Sequence, residues 1–98
     1  LTLGHCLVVP KKEIDYLFDL DDVFLNEILI FSKKISSSLI RTVDCNRVGV
    51  SVIGLEVPHA HVHLIPINNE KDMNFSNKRI EMSSEDFADL QSRIIKNL

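Results

Sequence analysis

Residues 59–65 read His-Ala-His-Val-His-Leu-Ile. Imidazole alternates strictly with an apolar side chain, and residues two apart on a strand point to the same face. His59, His61 and His63 therefore share one face, while Ala60, Val62 and Leu64 share the other and need a core to cover them. Pro58 and Pro66 fence the run, which predicts a strand over 59–65. Histidine has only a middling strand preference, so sheet packing gives no reason for three in register. A chain with this segment is expected to build one apolar sheet face and one imidazole face.

The rest of the chain supplies what such a sheet requires. It has 98 residues, 45% of them hydrophobic and 26% charged, values that fit one globular domain over 1–98 and argue against disorder. His5-Cys6-Leu7-Val8-Val9 is a short β-rich run stopped by Pro10, with Lys11 and Lys12 in a solvated turn after it. Leu20, Phe24, Ile28, Phe31, Ile35 and Leu39 recur at spacings of three and four and predict a helix over 20–41. Its start is acidic and its later part basic, as the helix dipole favours. Leu25, Leu29 and Ile30 lie off that stripe and need other cover. Ser36-Ser37-Ser38 reads as a polar face of the same helix.

Arg47 to Ile53 is β-branched, ends at Gly54 and predicts a second strand, joined tightly to the histidine strand. Asn68 to Arg79 is polar and turn-rich, a surface loop without chemistry of its own. Ser83-Ser84-Glu85-Asp86 has the S-x-x-D pattern of a helix start, and Phe87, Leu90, Ile94 and Leu98 form a stripe behind it, predicting a helix from about 84. The order β-α-β-β-α gives an α+β fold with an antiparallel sheet, one long helix and a C-terminal helix.

Charge and cysteine content narrow the function classes. A net charge of −3 lacks the basic face of a non-specific nucleic-acid binder. No apolar run approaches the ~20 residues of a membrane span, and no signal-peptide pattern is present. The two cysteines, Cys6 and Cys45, form no C-x-x-C. A reduced, cytoplasmic protein with no nucleic-acid or membrane partner is expected. Cys6 follows His5 on its strand and should face the other way, its thiol in the core.

Two chemistries suit the histidine row. Same-face neighbours on a strand are ~6.7 Å apart, so His-x-His can chelate one ion, whereas the outer pair at ~13 Å cannot share it. A zinc site is thus possible but not expected, and no further ligand stands at a telling spacing. A row ~13 Å long matches a chain of phosphates better than a point ion. Imidazole titrates near neutrality, so one ring can act as a neutral nucleophile while its neighbours donate hydrogen bonds.

Positions 59 to 65 follow the pattern His-φ-His-φ-His-φ-φ, with φ apolar, and Gly4-His5-Cys6-Leu7-Val8-Val9-Pro10-Lys11 stands upstream across a helix. Together these strings resemble the two sequence elements of the histidine triad (HIT) family of nucleotide-binding hydrolases and transferases. The resemblance covers nearly the whole chain, more weakly after Pro66. It implies cleavage at the α-phosphate of a nucleoside phosphoramidate or a dinucleoside polyphosphate. It assigns His61 as the nucleophile that becomes nucleotidyl-histidine, and His59, His63 and His5 as supporting, substrate-binding histidines. His at position 63, where the transferase branch has Gln, favours hydrolysis. No cofactor is required on this reading. The resemblance further implies a purine nucleotide substrate, a meander-like sheet and a homodimer.

The chain departs from the family pattern at two positions. Val48 stands where the family commonly has an Asn that holds phosphate, and Glu56 stands where Ser or Thr is usual. A carboxylate at 56 would repel phosphate if it pointed inward. The chain also begins at Leu1, and the resemblance implies a further N-terminal segment carrying nucleobase and ribose contacts. The alternative to a hydrolase is a nucleotide- or phosphate-binding module without turnover, or a zinc-binding protein.

Overall fold

The structure, a computed structural model, describes residues 1–55 and 57–98. Strand β1 (Cys6–Val8) leads through a 3₁₀ turn (Leu17–Asp19) into helix α1 (Asp22–Thr42). Strands β2 (Arg47–Ser51) and β3 (Val62–Ile67) follow, then a second 3₁₀ turn (Glu70–Met73) and helix α2 (Ser84–Lys96). The α+β architecture with an antiparallel sheet is the one expected from the sequence. The sheet is not a plain meander, because β3 lies between β1 and β2.

The histidine strand is displaced from its expected span. β3 begins at Val62 rather than at 59, and it runs through Pro66 to Ile67. Proline is tolerated at this position of the central strand for a local reason. The Pro66 carbonyl faces the β1 side, where it accepts a hydrogen bond from Thr2 Oγ1 at 2.6 Å. The nitrogen of the same residue points to that side too, and β1 ends before reaching it, so no ladder donor is missing. β2 is shorter than expected, ending at Ser51, and β3 starts only at Val62, so no tight turn joins them.

Ala60, Val62 and Leu64 are buried, while His59, His61 and His63 are half-buried, so the predicted two-faced pattern holds. Val62, Leu64 and Leu39 of α1 are fully buried against one another's surroundings in the core. Each such side chain contributes about 1.5–3 kcal/mol through burial. α1 buries Ile28, Ser32, Ser38 and Leu39, with Leu25 and Ile35 packed at the margin. Phe24 and Phe31, assigned to the buried stripe, stay largely exposed. Ser38 corrects the expected polar face: its hydroxyl is buried and donates to the Ile94 carbonyl of α2. Arg41 to the Asn97 carbonyl and Arg93 to the Thr42 carbonyl extend this seam between the helices.

The helix starts follow their sequence signals. The Asp21 side chain caps α1 by accepting from the Phe24 amide at 3.0 Å. Ser83 caps α2 by accepting from the Asp86 amide at 3.1 Å. The region read as a plain loop contains the 3₁₀ turn, whose Asn69–Asp72 capping box fixes how the chain leaves β3.

Candidate active site

Four elements converge at the imidazole face. β3 carries His63, in one cross-strand row with Leu7 of β1 and Ser51 of β2. His61 and His59 sit just ahead of β3, in the segment that leads into it. That segment is pinned at both ends. The Ala60 amide donates to the Ile14 carbonyl at 2.7 Å, and the His59 ring donates through Nε2 to the Pro10 carbonyl at 2.9 Å.

His5 is brought in by the turn before β1. Gly4 has φ +88°, a left-handed conformation that glycine adopts at little cost. A side chain there would also stand 2.9 Å from Val43 Cγ2 and 3.2 Å from Pro66 Cγ. The turn closes with the His5 amide bonded to the Thr2 carbonyl at 3.1 Å.

One ring-to-ring hydrogen bond and one edge-on ring contact link His5, His63 and His61. His5 Nδ1 lies 2.6 Å from the Leu1 main-chain nitrogen. His5 Nε2 and His63 Nδ1 share a hydrogen bond at 2.9 Å. The His63 ring meets the His61 ring edge-on, with centroids 4.7 Å apart. His61 Nδ1 lies 2.9 Å from the His59 carbonyl. A carbonyl can only accept, so Nδ1 carries a proton, and in the neutral ring the lone pair is on Nε2. The structure thus brings His5, His61 and His63 into direct contact. His59 joins them through its own carbonyl, with its ring turned to Pro10.

Burial disfavours the charged form of two of these rings, His5 and His63. It pushes His5 down to about 4, with nearby positive charges, His63 and Arg79 among them, adding to the effect. His63 is lowered by burial too, and then by His61. Part of that burial comes from a residue the sequence reading passed over. Phe75 lies edge-on to His63 at 4.9 Å between centroids and to His5 at 6.3 Å. It is the lone aromatic of the polar stretch 68–79, and that is the signal that could have found it.

Other expected features are placed as follows. Val48 packs against the core and pairs with Pro66, so it points away from the imidazole face. Glu56 lies outside the described residues. Gly54 has φ +70° with open space around it, and this left-handed bend carries the chain back from β2 towards the histidines. Cys6 faces the core margin as expected, its thiol raised by burial. The Lys12 ammonium lies 5.6 Å from the Phe24 ring centroid, at the start of α1. Among the described residues, no three His, Cys, Asp or Glu side chains group so as to hold a metal ion.

Two cavities flank His61. One, of about 260 Å³, is walled by Leu7, Val9, Val57, His59 and His61. The other, of about 250 Å³, lies between the 15–18 turn and the 52–54 bend, with His61 and Ala60 at its base. His61 is the residue common to both.

A model of the HIT domain family matches residues 2–70. The chain belongs to the HIT family. An uncharacterized HIT-like protein of Borreliella burgdorferi is 32% identical, over 100% of this chain and 76% of that protein. The adenosine 5'-monophosphoramidase HNT1 of Saccharomyces cerevisiae is 32% identical over 69% of this chain and 44% of its own length. A solved histidine triad protein from Sinorhizobium meliloti superposes with a TM-score of 0.83, covering 96% of this chain and 74% of that one. At 21% identity that likeness concerns the HIT fold alone. The residues that carry this family's sequence pattern are therefore held by a HIT sheet.

Proposed function

We propose that this HIT protein is a nucleotide hydrolase. It cleaves at the α-phosphate of a purine nucleoside phosphoramidate or dinucleoside polyphosphate through a nucleotidyl-histidine intermediate. The observation that carries this reading is the hydrogen bond from His61 Nδ1 to the His59 carbonyl, which in the neutral ring leaves the lone pair on Nε2 of a residue that lines both cavities. The activity named for the yeast relative, an adenosine 5'-monophosphoramidase, supports the same class.

His61 Nε2 attacks the α-phosphorus. The bond from phosphorus to the leaving group breaks, and its electron pair goes to the leaving atom. The His61 ring gains positive charge, which the His59 carbonyl stabilises through the Nδ1–H bond. Water then attacks the same phosphorus, the bond to Nε2 breaks, and the nucleoside monophosphate leaves. Two easier displacements replace one difficult one. In this reading His63 and His59 contact phosphate oxygens, and His5 acts through His63 by holding its ring in one tautomer.

His61→Ala tests the proposal. The variant should lose several orders of magnitude in turnover, about 4–8 kcal/mol of barrier, while keeping most of its nucleotide affinity. Single-turnover kinetics with adenosine phosphoramidate and calorimetry with AMP separate the two effects. Wild-type turnover in His61→Ala would make the histidine cluster a binding surface instead.

A further inference from the structure

We propose that Met73 is an oxidation site through which a hydroperoxide lifts Phe75 off the His5–His63 pair, a reversible switch on the histidine cluster. The effect on the rings stands by itself, and only its consequence for turnover rests on the hydrolase reading above.

The sheet gives Met73 a close-fitting seat. Gly49 pairs with Ile65 and Ser51 with His63, so Gly49 lies on the sheet face that carries His63. A Cβ added at Gly49 would stand 2.7 Å from Met73 Sδ and 3.3 Å from its Cε, with Ile67 Cδ1 at 3.2 Å. The thioether therefore fills the space that a side chain at 49 would take. Two residues further on, Phe75 meets the rings of His63 and His5.

Hydrogen bonds couple these two contacts. The Asn74 amide and the Asn77 side chain both donate to the Lys71 carbonyl, at 3.1 Å and 2.7 Å, and the Asn77 amide donates to the Asn74 carbonyl at 3.0 Å. Met73 and Phe75 lie within these turns, so a shift of one carries the other.

Met73 is half-buried, which leaves its sulfur within reach of a small oxidant. The sulfur lone pair attacks the terminal oxygen of the hydroperoxide. The O–O bond breaks, and its electron pair goes to the leaving oxygen, which takes up the hydroperoxide proton and departs as an alcohol, or as water from hydrogen peroxide. The thioether is oxidised to a sulfoxide and the peroxide is reduced. The new oxygen adds bulk where the packing has no room for one carbon, and it sets a polar group against Ile67. Lifting the 71–77 turns relieves both, and Phe75 leaves His63. The thiols of Cys6 and Cys45 are raised by burial, which keeps them protonated and slow towards the same oxidant.

The test treats the full chain with hydrogen peroxide, maps the added oxygen by peptide mass spectrometry and follows the histidine ring protons by NMR through a pH titration. Protein oxidised at Met73 should show His5 and His63 titrating at higher pH, because water reaches the uncovered rings. Among the described residues, His61 and Arg79 face the pair, and both are present in every sample, so the shift reads the loss of Phe75. Turnover of adenosine phosphoramidate should fall with it by about tenfold. Methionine sulfoxide reductase should reverse both changes. Met73→Leu conserves the packed volume without the sulfur, so peroxide should leave its rings and its rate unchanged. Met82→Leu should respond as the wild type does. Gly49→Ala should move the rings in the same direction with no oxidant, because its Cβ meets Sδ. The proposal is overturned if Met73 stays unmodified while Met82 is oxidised, if oxidised Met73 leaves both titrations in place, or if Met73→Leu responds like the wild type. Should the untreated protein turn over no nucleotide, the hydrolase reading fails on its own, and the ring titrations still decide the switch.

Discussion

His63 is the most confined of the four imidazoles. His5 holds its Nδ1, the His61 ring meets it at 4.7 Å and Phe75 closes over it at 4.9 Å. Phe75 acts on the cluster only through these contacts, so it is a positioning residue. Phe75→Ala should hydrate His63 and His5 and let both titrate at higher pH, because relieved burial favours the charged ring. Turnover should fall with it, by about tenfold, through loss of ring order. Phe75→Leu should restore most of both effects. NMR titration of the histidine ring protons gives a readout independent of activity, and unchanged His5 and His63 titrations in Phe75→Ala would dismiss the role.

At the scale of elements, the turn before β1 decides whether His5 reaches His63. Gly4→Ala places a side chain at φ +88° and 2.9 Å from Val43, on the end of α1. The strain is worth about 1–3 kcal/mol. An unfolding free energy lowered by that amount in denaturant titration should appear together with a weakened His5–His63 contact. A variant as stable as the wild type would mean that α1 and β3 give way more easily than their packing indicates. The same turn exposes the limit of periodicity. Two glycines, Gly4 and Gly54, lie where φ is positive, and the sequence pattern marks them as motif members without giving the bend each imposes. Pro66 misled the strand boundary for a similar reason. Whether proline ends a strand depends on which neighbour its nitrogen would have faced.

At the scale of the whole molecule, the histidine cluster links folding to pH. His5 and His63 are both lowered in the folded chain, while in the unfolded chain they titrate near 6.5. Below that value the unfolded chain binds more protons, so stability is lost as pH falls from about 6.5 towards about 4. Among the described residues, the groups facing the pair are His61 and Arg79, and neither is an acid that would reverse the sign. The melting temperature should drop between pH 7 and pH 5, and less so in His5→Asn. An equal drop in that variant would assign the pH dependence to other groups. The outer surface of α1 carries a second expectation. Leu25 turns out to pack against the core, but Leu29 and Ile30 remain more than half exposed, with Val23 and Phe31 beside them. We propose that a second copy covers them in a homodimer. Light scattering of the full chain at micromolar concentration should give twice the chain mass, and a monomer would remove the proposal.

Alternation and spacing in the sequence were enough to specify the two-faced histidine segment, the long helix, the capped C-terminal helix and the antiparallel α+β fold. These follow from local geometry, because side-chain direction repeats every two residues in a strand and every three to four in a helix. The same geometry correctly kept Ala60, Val62 and Leu64 inside. Long-range packing decided what local geometry could not. It placed β3 between β1 and β2 and buried Ser38 against α2. It laid Phe75 of a polar stretch over the histidines and turned Phe24 and Phe31 outward. The tautomer of His61 belongs to this second group as well. Nothing in the order of residues says which ring nitrogen keeps the lone pair. That was settled by the position of one carbonyl, the His59 oxygen, once the turn ahead of β3 had been pinned to Pro10 and Ile14.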